Sequence, residues 1–424
     1  MQPNSSAALR QGAAPARAMD PGLSLFQLLD PAVHADPFPF YRRLREEAPV
    51  VWDPFMHTWV VTRYDDAQRV LRELSSDRMP DPEKMRALGL PSLEPVADVM
   101  ARQMLFLDAP SHTRLRKLCS AAFTPRRVEA MATTIRRIAA ELIDARLADG
   151  RMELIADFAE PFPAIVTAGL LGVPEADHRE LKIWSAHFAE MLGNFQHNPD
   201  RIHNVLDAVA QMNGYFRRAI AEHRRSPRDG LIGSLLEAEV DGQRLSDEEV
   251  IANTIVTLVG GQETTTNLIG NGLLTLMRQP DKLAQLRARP EIVDEAVEEL
   301  LRFESPSQHT ARIAHADVEV GGQLIRKGEA VMVVIAAANR DPAHFPDPDT
   351  LDLTRNPNRH LAFGWATHFC FGAALARMEA RIAFTTLLAK LDDIALAAEK
   401  LSWRTNSGLR GLTALPITFT ARPE

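Results

Sequence analysis

The stretch that most constrains the fold begins at Ser246. The run "SDEE" (Ser246–Glu249) has the form of a capping box. In that arrangement the serine hydroxyl accepts from the backbone N–H three residues on, and the glutamate reaches back to the serine N–H. The helix it opens should run to about Arg278 and stop before Pro280. About 32 residues at the α-helical rise make ~48 Å, enough to cross a whole protein of this size. Apolar residues fall on nearly every side of it (Ile251, Ile255, Val256, Leu258, Val259, Leu268, Leu273), so it must be buried.

The rest of the chain can supply the core this helix needs. Of 424 residues, 46% are hydrophobic and 25% charged, and no stretch reads as a flexible linker. Residues 21–424 are therefore taken as one domain. Helical signals dominate, over "DPFPFYRRLREEAPV" and over residues 110–149, 161–172, 177–193 and 201–225. Strand-like pieces are few: Trp59–Thr62, leading into a helix in "WVVTRYDDAQRVL", then "VEVGG", "AVMVVIAAA" and "PITFT". The fold class is mainly α with a minor antiparallel β part. Residues 76–106 stand apart, with four prolines and little periodicity beyond a short helix around Val96–Met104. A long irregular segment inside a compact domain is usually functional.

Several function classes are disfavoured. A net charge of -8, from 48 basic and 56 acidic residues, argues against a nucleic-acid binder held by phosphate contacts. No apolar run reaches the ~18 residues of a membrane span. Residues 1–20 lack an apolar signal core and carry no acid before Asp20. They read as a disordered tail, with a transit peptide or a start at Met19 as alternatives. Two cysteines make neither a disulfide framework nor a zinc cluster, which fits a reducing compartment, the cytoplasm.

One of those cysteines, Cys370, lies in "HLAFGWATHFCFGAALAR". A lone cysteine is most often a plain buried thiol, and Cys119 in "HTRLRKLCSAAF" reads that way. The neighbours of Cys370 suggest more. Cysteine thiolate is a strong ligand for haem iron, and it must be kept ionised and shielded from water. Phe363 can cover the sulfur and Gly364 permits a tight turn. Gly372 would let the first turn of the following helix lie against a flat ring, with its positive end favouring a thiolate. A zinc reading fails because His360, His368 and Cys370 lack a fourth ligand at a workable spacing.

This loop resembles that of the cytochrome P450 family, whose signature is Phe-Gly-x-Gly-x-His/Arg-x-Cys-x-Gly. It departs at Ala366, where the family has glycine; if that position needs φ > 0, alanine there is strained. Three further segments resemble the family in the right order. "DAPSHTRLRKL" supplies His112 and Arg116, four apart on one helix face. "VGGQETTT" places Gly260 and Gly261, then Glu263 and Thr264, in the middle of the long helix, where each glycine costs about 1 kcal/mol relative to alanine and a buried acid needs a partner or a task. "AVEELLRFESP" supplies Glu299 and Arg302, a structural pair. The resemblance spans roughly residues 30–420 and is closest to the soluble bacterial members.

The resemblance implies the triangular helical prism of that family and a monooxygenase using haem b, dioxygen and electrons from NAD(P)H. Cys370 would be the axial iron ligand. Phe363, Gly364 and Gly372 would seat the haem. His112, Arg116, Arg312 and His368 would hold its two propionates. Glu263 and Thr264 would relay protons. Ferredoxin or flavodoxin with a reductase would deliver electrons at a basic patch formed by Arg114, Lys117 and Arg377. The enzyme would be a monomer. Leu88, Met100, Met104, Phe195, Leu258, Gly261, Gln308, His309 and Leu409 would line an apolar, Met-rich pocket. Its substrate would be a sizeable hydrophobic natural-product intermediate such as a polyketide or macrolide, with a terpenoid or a fatty-acyl group, free or carrier-bound, as alternatives. A peroxygenase of the same fold is disfavoured by the intact Glu263–Thr264 pair. A non-catalytic haem protein is the alternative of another class.

Overall fold

The computed structural model describes residues 19–78, 93–192 and 199–422. The helices that position the site are α1 (Tyr64–Glu73), α2 (Ser111–Ala122), α3 (Ala132–Asp144), α4 (Pro161–Leu171), α5 (His178–Ala189), α6 (Pro199–Arg225), α7 (Asp247–Met277), α8 (Val293–Phe303) and α9 (Ala373–Lys390). The strands are β1 (Val50–Asp53), β2 (Thr58–Val61), β3 (Arg151–Glu153), β4 (Thr310–Ile313), β5 (Val318–Val320), β6 (Gln323–Ile325), β7 (Ala330–Val333), β8 (Leu391–Leu396) and β9 (Pro416–Ala421).

Helix α7 is the axis of the fold. Its capping box is formed as the sequence suggests: the Glu249 N–H donates to Ser246 Oγ (3.2 Å) and the Ser246 N–H to Glu249 Oε2 (2.9 Å). Apolar residues from helices on every side close around it in the largest hydrophobic core, with α4, α5 and α9 packed directly on it. Further along, Gly270 and Gly272 are sites of close approach. A Cβ on either would come within 2.6 Å of the Ile155 side chain or the Phe384 ring. Asn253 ties α7 to the Pro-rich region, accepting from the Met104 N–H (3.0 Å) and donating to the Arg102 carbonyl (3.0 Å). Among the described residues no helix is long and apolar enough to cross a membrane.

The main sheet has the order β1-β2-β7-β4. Most pairings are antiparallel, but β2 and β7 run parallel, with Trp59 opposite Val331. A parallel pair needs a crossover connection, and here the crossover is most of the helical body. A second core lies between this sheet and α1. Only the first part of "AVMVVIAAA" is a strand; Ile335–Ala338 turns into a short buried helix. Three consecutive alanines favour helix over strand, and Val334 still donates to the Val61 carbonyl (2.9 Å) before the chain turns.

Glu299 and Arg302 on α8 are wholly buried and doubly bonded to each other at 2.8 Å. Glu299 also accepts from the Asp352 N–H (2.9 Å), Arg355 Nε (3.2 Å) and Asn358 Nδ2 (3.1 Å). Arg302 donates onward to the carbonyls of Asn339 and Pro348, both at 2.9 Å. A charge pair in so dry a place persists because its hydrogen-bonding capacity is met. It fastens α8 to the long loop that leads to Cys370.

Candidate active site

The segment from Leu361 to Gly372 forms a tight loop ending at the N-terminus of α9. Gly364 takes φ +72° and Ala366 takes φ +56°. Glycine adopts such angles freely, whereas alanine pays about 1–2 kcal/mol for them. Ala366→Gly should therefore raise stability by about 0.5–1 kcal/mol after the extra unfolded-state entropy of glycine is subtracted. Thermal denaturation of the two proteins checks this, and a lower midpoint for the variant would contradict it.

The loop turns the sulfur of Cys370 inward. The Cys370 N–H donates to the Phe363 carbonyl (2.7 Å). Burial pushes the Cys370 thiol above its usual range, opposed by backbone N–H donors of Gly372 and Ala373 and by the charges of Arg116 and Arg377. The surface that Cys370 exposes faces an internal cavity of about 330 Å³ bounded by α7 on the far side. That volume lies within the range of small-molecule sites. The Arg377 guanidinium lies 4.5 Å from the Phe363 ring centre and is bonded to Glu298 (2.6 and 2.7 Å), which fixes the covering ring from behind.

Phe363, Gly364, His368 and Gly372 all line the cavity. A Cβ on Gly372 or on Gly260, which faces it from α7, would meet no protein atom within 4 Å. Space for a flat group has been left on both walls. The same cavity has a cationic end, where His112, Arg116, Arg312 and His368 converge. His112 Nε2 and Arg312 Nε are buried without a hydrogen-bond partner. The His112 and His368 rings lie 4.2 Å apart. Burial, reinforced by the neighbouring His112 and Arg312, lowers His368 to about 3, so it is neutral. Burial and then Arg116 lower His112 as well. Arg78, which the sequence reading missed, joins this end of the cavity. A thiol facing open space, glycine walls and orphaned donors at one end together fit haem, a flat iron macrocycle with two carboxylates.

Thr264 lines the cavity and donates to the Gly260 carbonyl (2.7 Å). Glu263 does not line it. Its buried carboxylate is bonded to Lys182 and to Arg404 Nη1 (2.8 Å), and Arg404 also holds Glu160. Burial works against ionisation of Glu263, but the two cations outweigh it and lower its pKa. Thr167 on α4 brings a buried hydroxyl without a partner to the cavity wall, where a Cβ on Gly261 would come within 3.3 Å of it. Glu379 on α9 also lines the cavity, and burial raises its carboxyl well above the usual range.

Of the pocket residues expected from sequence, Met104, Gly261, His309 and Leu409 are on the wall. Three are not, which corrects the expectation. Met100 and Leu258 pack into the hydrophobic core, and the Gln308 amide turns back to donate to the Ser305 carbonyl (2.6 Å). Leu88 and Phe195 lie outside the described residues. The expected basic patch is weaker than the sequence suggested. Arg114 pairs with Glu249, Lys117 with Asp241 (3.8 Å) and Arg377 with Glu298.

Comparison with known proteins agrees with this geometry. A family profile described as "Cytochrome P450" matches residues 25–292 and 287–394. The chain is 41% identical over 396 residues to cytochrome P450 monooxygenase PikC of Streptomyces venezuelae, covering 91% of each. It is 35% identical over 397 residues to polyketide biosynthesis cytochrome P450 PksS of Bacillus subtilis, covering 91% of this chain and 96% of that one. Among solved structures, P450BioI in complex with acyl carrier protein bearing hexadec-9Z-enoic acid superposes with a TM-score of 0.85 at 36% identity, covering 92% of this chain and 99% of that one. With Cys370 facing a cavity built for a flat dicarboxylate macrocycle, the chain belongs to the cytochrome P450 family and is a haem-dependent monooxygenase.

Proposed function

We propose that the protein hydroxylates or epoxidises a sizeable hydrophobic intermediate of polyketide or macrolide type. The observation that most supports this is that the Cys370 sulfur and the Thr264 hydroxyl open into one cavity whose remaining wall is largely apolar, with Met104, Leu105, Leu170, Leu192 and Leu409. This wall is rich in Leu but has Met104 as its one methionine among the described residues, rather than the Met-rich lining expected, and such apolar walls suit large apolar ligands. The similarity to PksS, named for polyketide biosynthesis, points the same way. A second reading, a fatty-acyl chain on a carrier protein, is favoured by the similarity to P450BioI, whose structure holds such a complex.

In this reading Cys370 would ligate the iron of haem b. Phe363, Gly364 and Gly372 would seat it, and His112, Arg116, Arg312 and His368 would donate to its carboxylates. When bound, the haem supplies dioxygen activation and insertion of one oxygen atom into the substrate. Thr264 has its proton committed to Gly260, so its oxygen presents an acceptor to the cavity and can hold a water there. Glu263 lies behind it as an ionised carboxylate held by Lys182 and Arg404, so it can accept a proton and pass it on but holds none of its own to give. His309, lowered to about 4 by burial, is a neutral polar group on the cavity wall. Electrons come from NAD(P)H through a ferredoxin or flavodoxin and its reductase.

Titration of the purified haem protein with macrolides, linear polyketides, terpenes, free fatty acids and acyl-carrier proteins tests this. A shift of the haem absorption band with the macrolides or polyketides, followed by oxygenated product on adding the redox partners, is the expected result. A response to acyl-carrier proteins alone would favour the second reading. Ligand binding without product under any reductant would mean a non-catalytic haem protein.

A further inference from the structure

The cationic end of the cavity holds more charge than the residues matched by motif provide. Arg78, Arg116 and Arg312 all reach it, and among the described residues none of the three is ion-paired. Among the described residues, Asp108 is the carboxylate that acts on this group, on Arg312, on His112 and on His368, whose Nε2 is 4.0 Å away. Three guanidinium groups thus face one carboxylate at this end of the cavity. Burying two like charges side by side is costly unless an anion lies between them.

The chain takes trouble to place Arg78 there. Ser75 and Ile313, next to Arg312 on β4, exchange backbone hydrogen bonds at 2.9 Å in both directions. The Ser75 hydroxyl and the Ser76 N–H (3.0 Å) hold Asp108. Arg78 follows at once, with its guanidinium 4.6 Å from the Phe106 ring centre and Nη1 donating to the Ser76 carbonyl (3.3 Å). Burial and the adjacent Arg312 charge lower its pKa to about 9, so it remains a cation at neutral pH. The charge of Arg78 also acts on His368, in the cysteine loop. Its electrostatic neighbours are therefore those of the cofactor end.

We propose that Arg78 is a third cationic partner of the haem carboxylates, beside Arg116 and Arg312. This rests on the haem reading above. It ties the first residues of the Pro-rich segment to the cofactor rather than to substrate.

The test is haem loss from the wild type, Arg78→Gln and Arg78→Lys to an excess of a haem-scavenging apoprotein, with each protein reconstituted with haem or with haem dimethyl ester. Arg78→Gln should lose haem about tenfold faster than the wild type, the effect of one charge-assisted hydrogen bond. Arg78→Lys should recover most of that difference. With the diester, which has no carboxylate to bind, the three proteins should lose cofactor at rates within about twofold of each other. Equal haem loss from the wild type and Arg78→Gln would overturn the proposal. So would a tenfold difference that persists with the diester, which would mark a packing role through Phe106. Unchanged haem loss with weakened binding of palmitate would assign Arg78 to a substrate carboxylate instead. A wild type that takes up neither cofactor would overturn the haem reading and this proposal with it.

Discussion

Glu299→Gln is expected to destabilise the protein by about 3–5 kcal/mol, the cost of leaving buried charges uncompensated. Arg302 is wholly buried and Arg355 nearly so, and in the native protein both direct their donors at the Glu299 carboxylate. The amide keeps the shape but removes the negative charge and turns an acceptor into a donor facing donors. Total stabilities of folded domains are of the order of 5–15 kcal/mol, so much of the margin would go. Chemical denaturation of the two haem-loaded proteins measures it. A loss below about 1 kcal/mol would show that the pair acts as an ordinary surface bridge does.

The second large effect concerns Cys370. Cys370→Ser replaces an ionisable sulfur with a hydroxyl that stays protonated in the same loop. The reduced carbon monoxide complex should lose its thiolate signature, and oxygenation should fall by on the order of 10³-fold, equivalent to about 4 kcal/mol of barrier. Cys119→Ser is the control. Cys119 is buried in the hydrophobic core on α2, and burial pushes its thiol up to about 12. That substitution should leave the spectrum unchanged. A thiolate signature that survives Cys370→Ser would mean that the haem site has been placed wrongly.

Much of this was legible in the sequence because it rests on local chemistry. The capping box at Ser246 fixes the start of α7, and the loop around Cys370 is contiguous in the chain. Side-chain direction was the harder part, although helix period contains the answer. Thr257, Gly261, Thr264 and Leu268 recur at a spacing of three or four and share the cavity face of α7. Val256, Gly260 and Thr265 line it beside that row, whereas Leu258 and Glu263 fall just outside the stripe and point elsewhere. Gln308 is turned away by the bond its amide makes to the Ser305 carbonyl, whereas His309 faces in. What the sequence could not show was pairing across distance. Arg404, Lys182 and Glu160 meet Glu263 from three separate segments. Arg78 sits in a stretch without periodicity, where only the bridge between Ser75 and Ile313 gives it a place.

The parallel pairing of β2 with β7 has a consequence for how the molecule is made. Val61 meets Val333, and neither strand is adjacent to its partner until the intervening chain has been synthesised. Contacts of such separation are closed late, because loop-closure entropy must be overcome before they are rewarded. Until then β1 and β2 can form only a two-stranded hairpin, marginal on its own in water. Arg312 and Cys370 also lie toward the C-terminal end of the chain. On the ribosome the cofactor pocket is therefore among the last parts of the protein to exist, and haem capture is a step that follows translation rather than one that guides it.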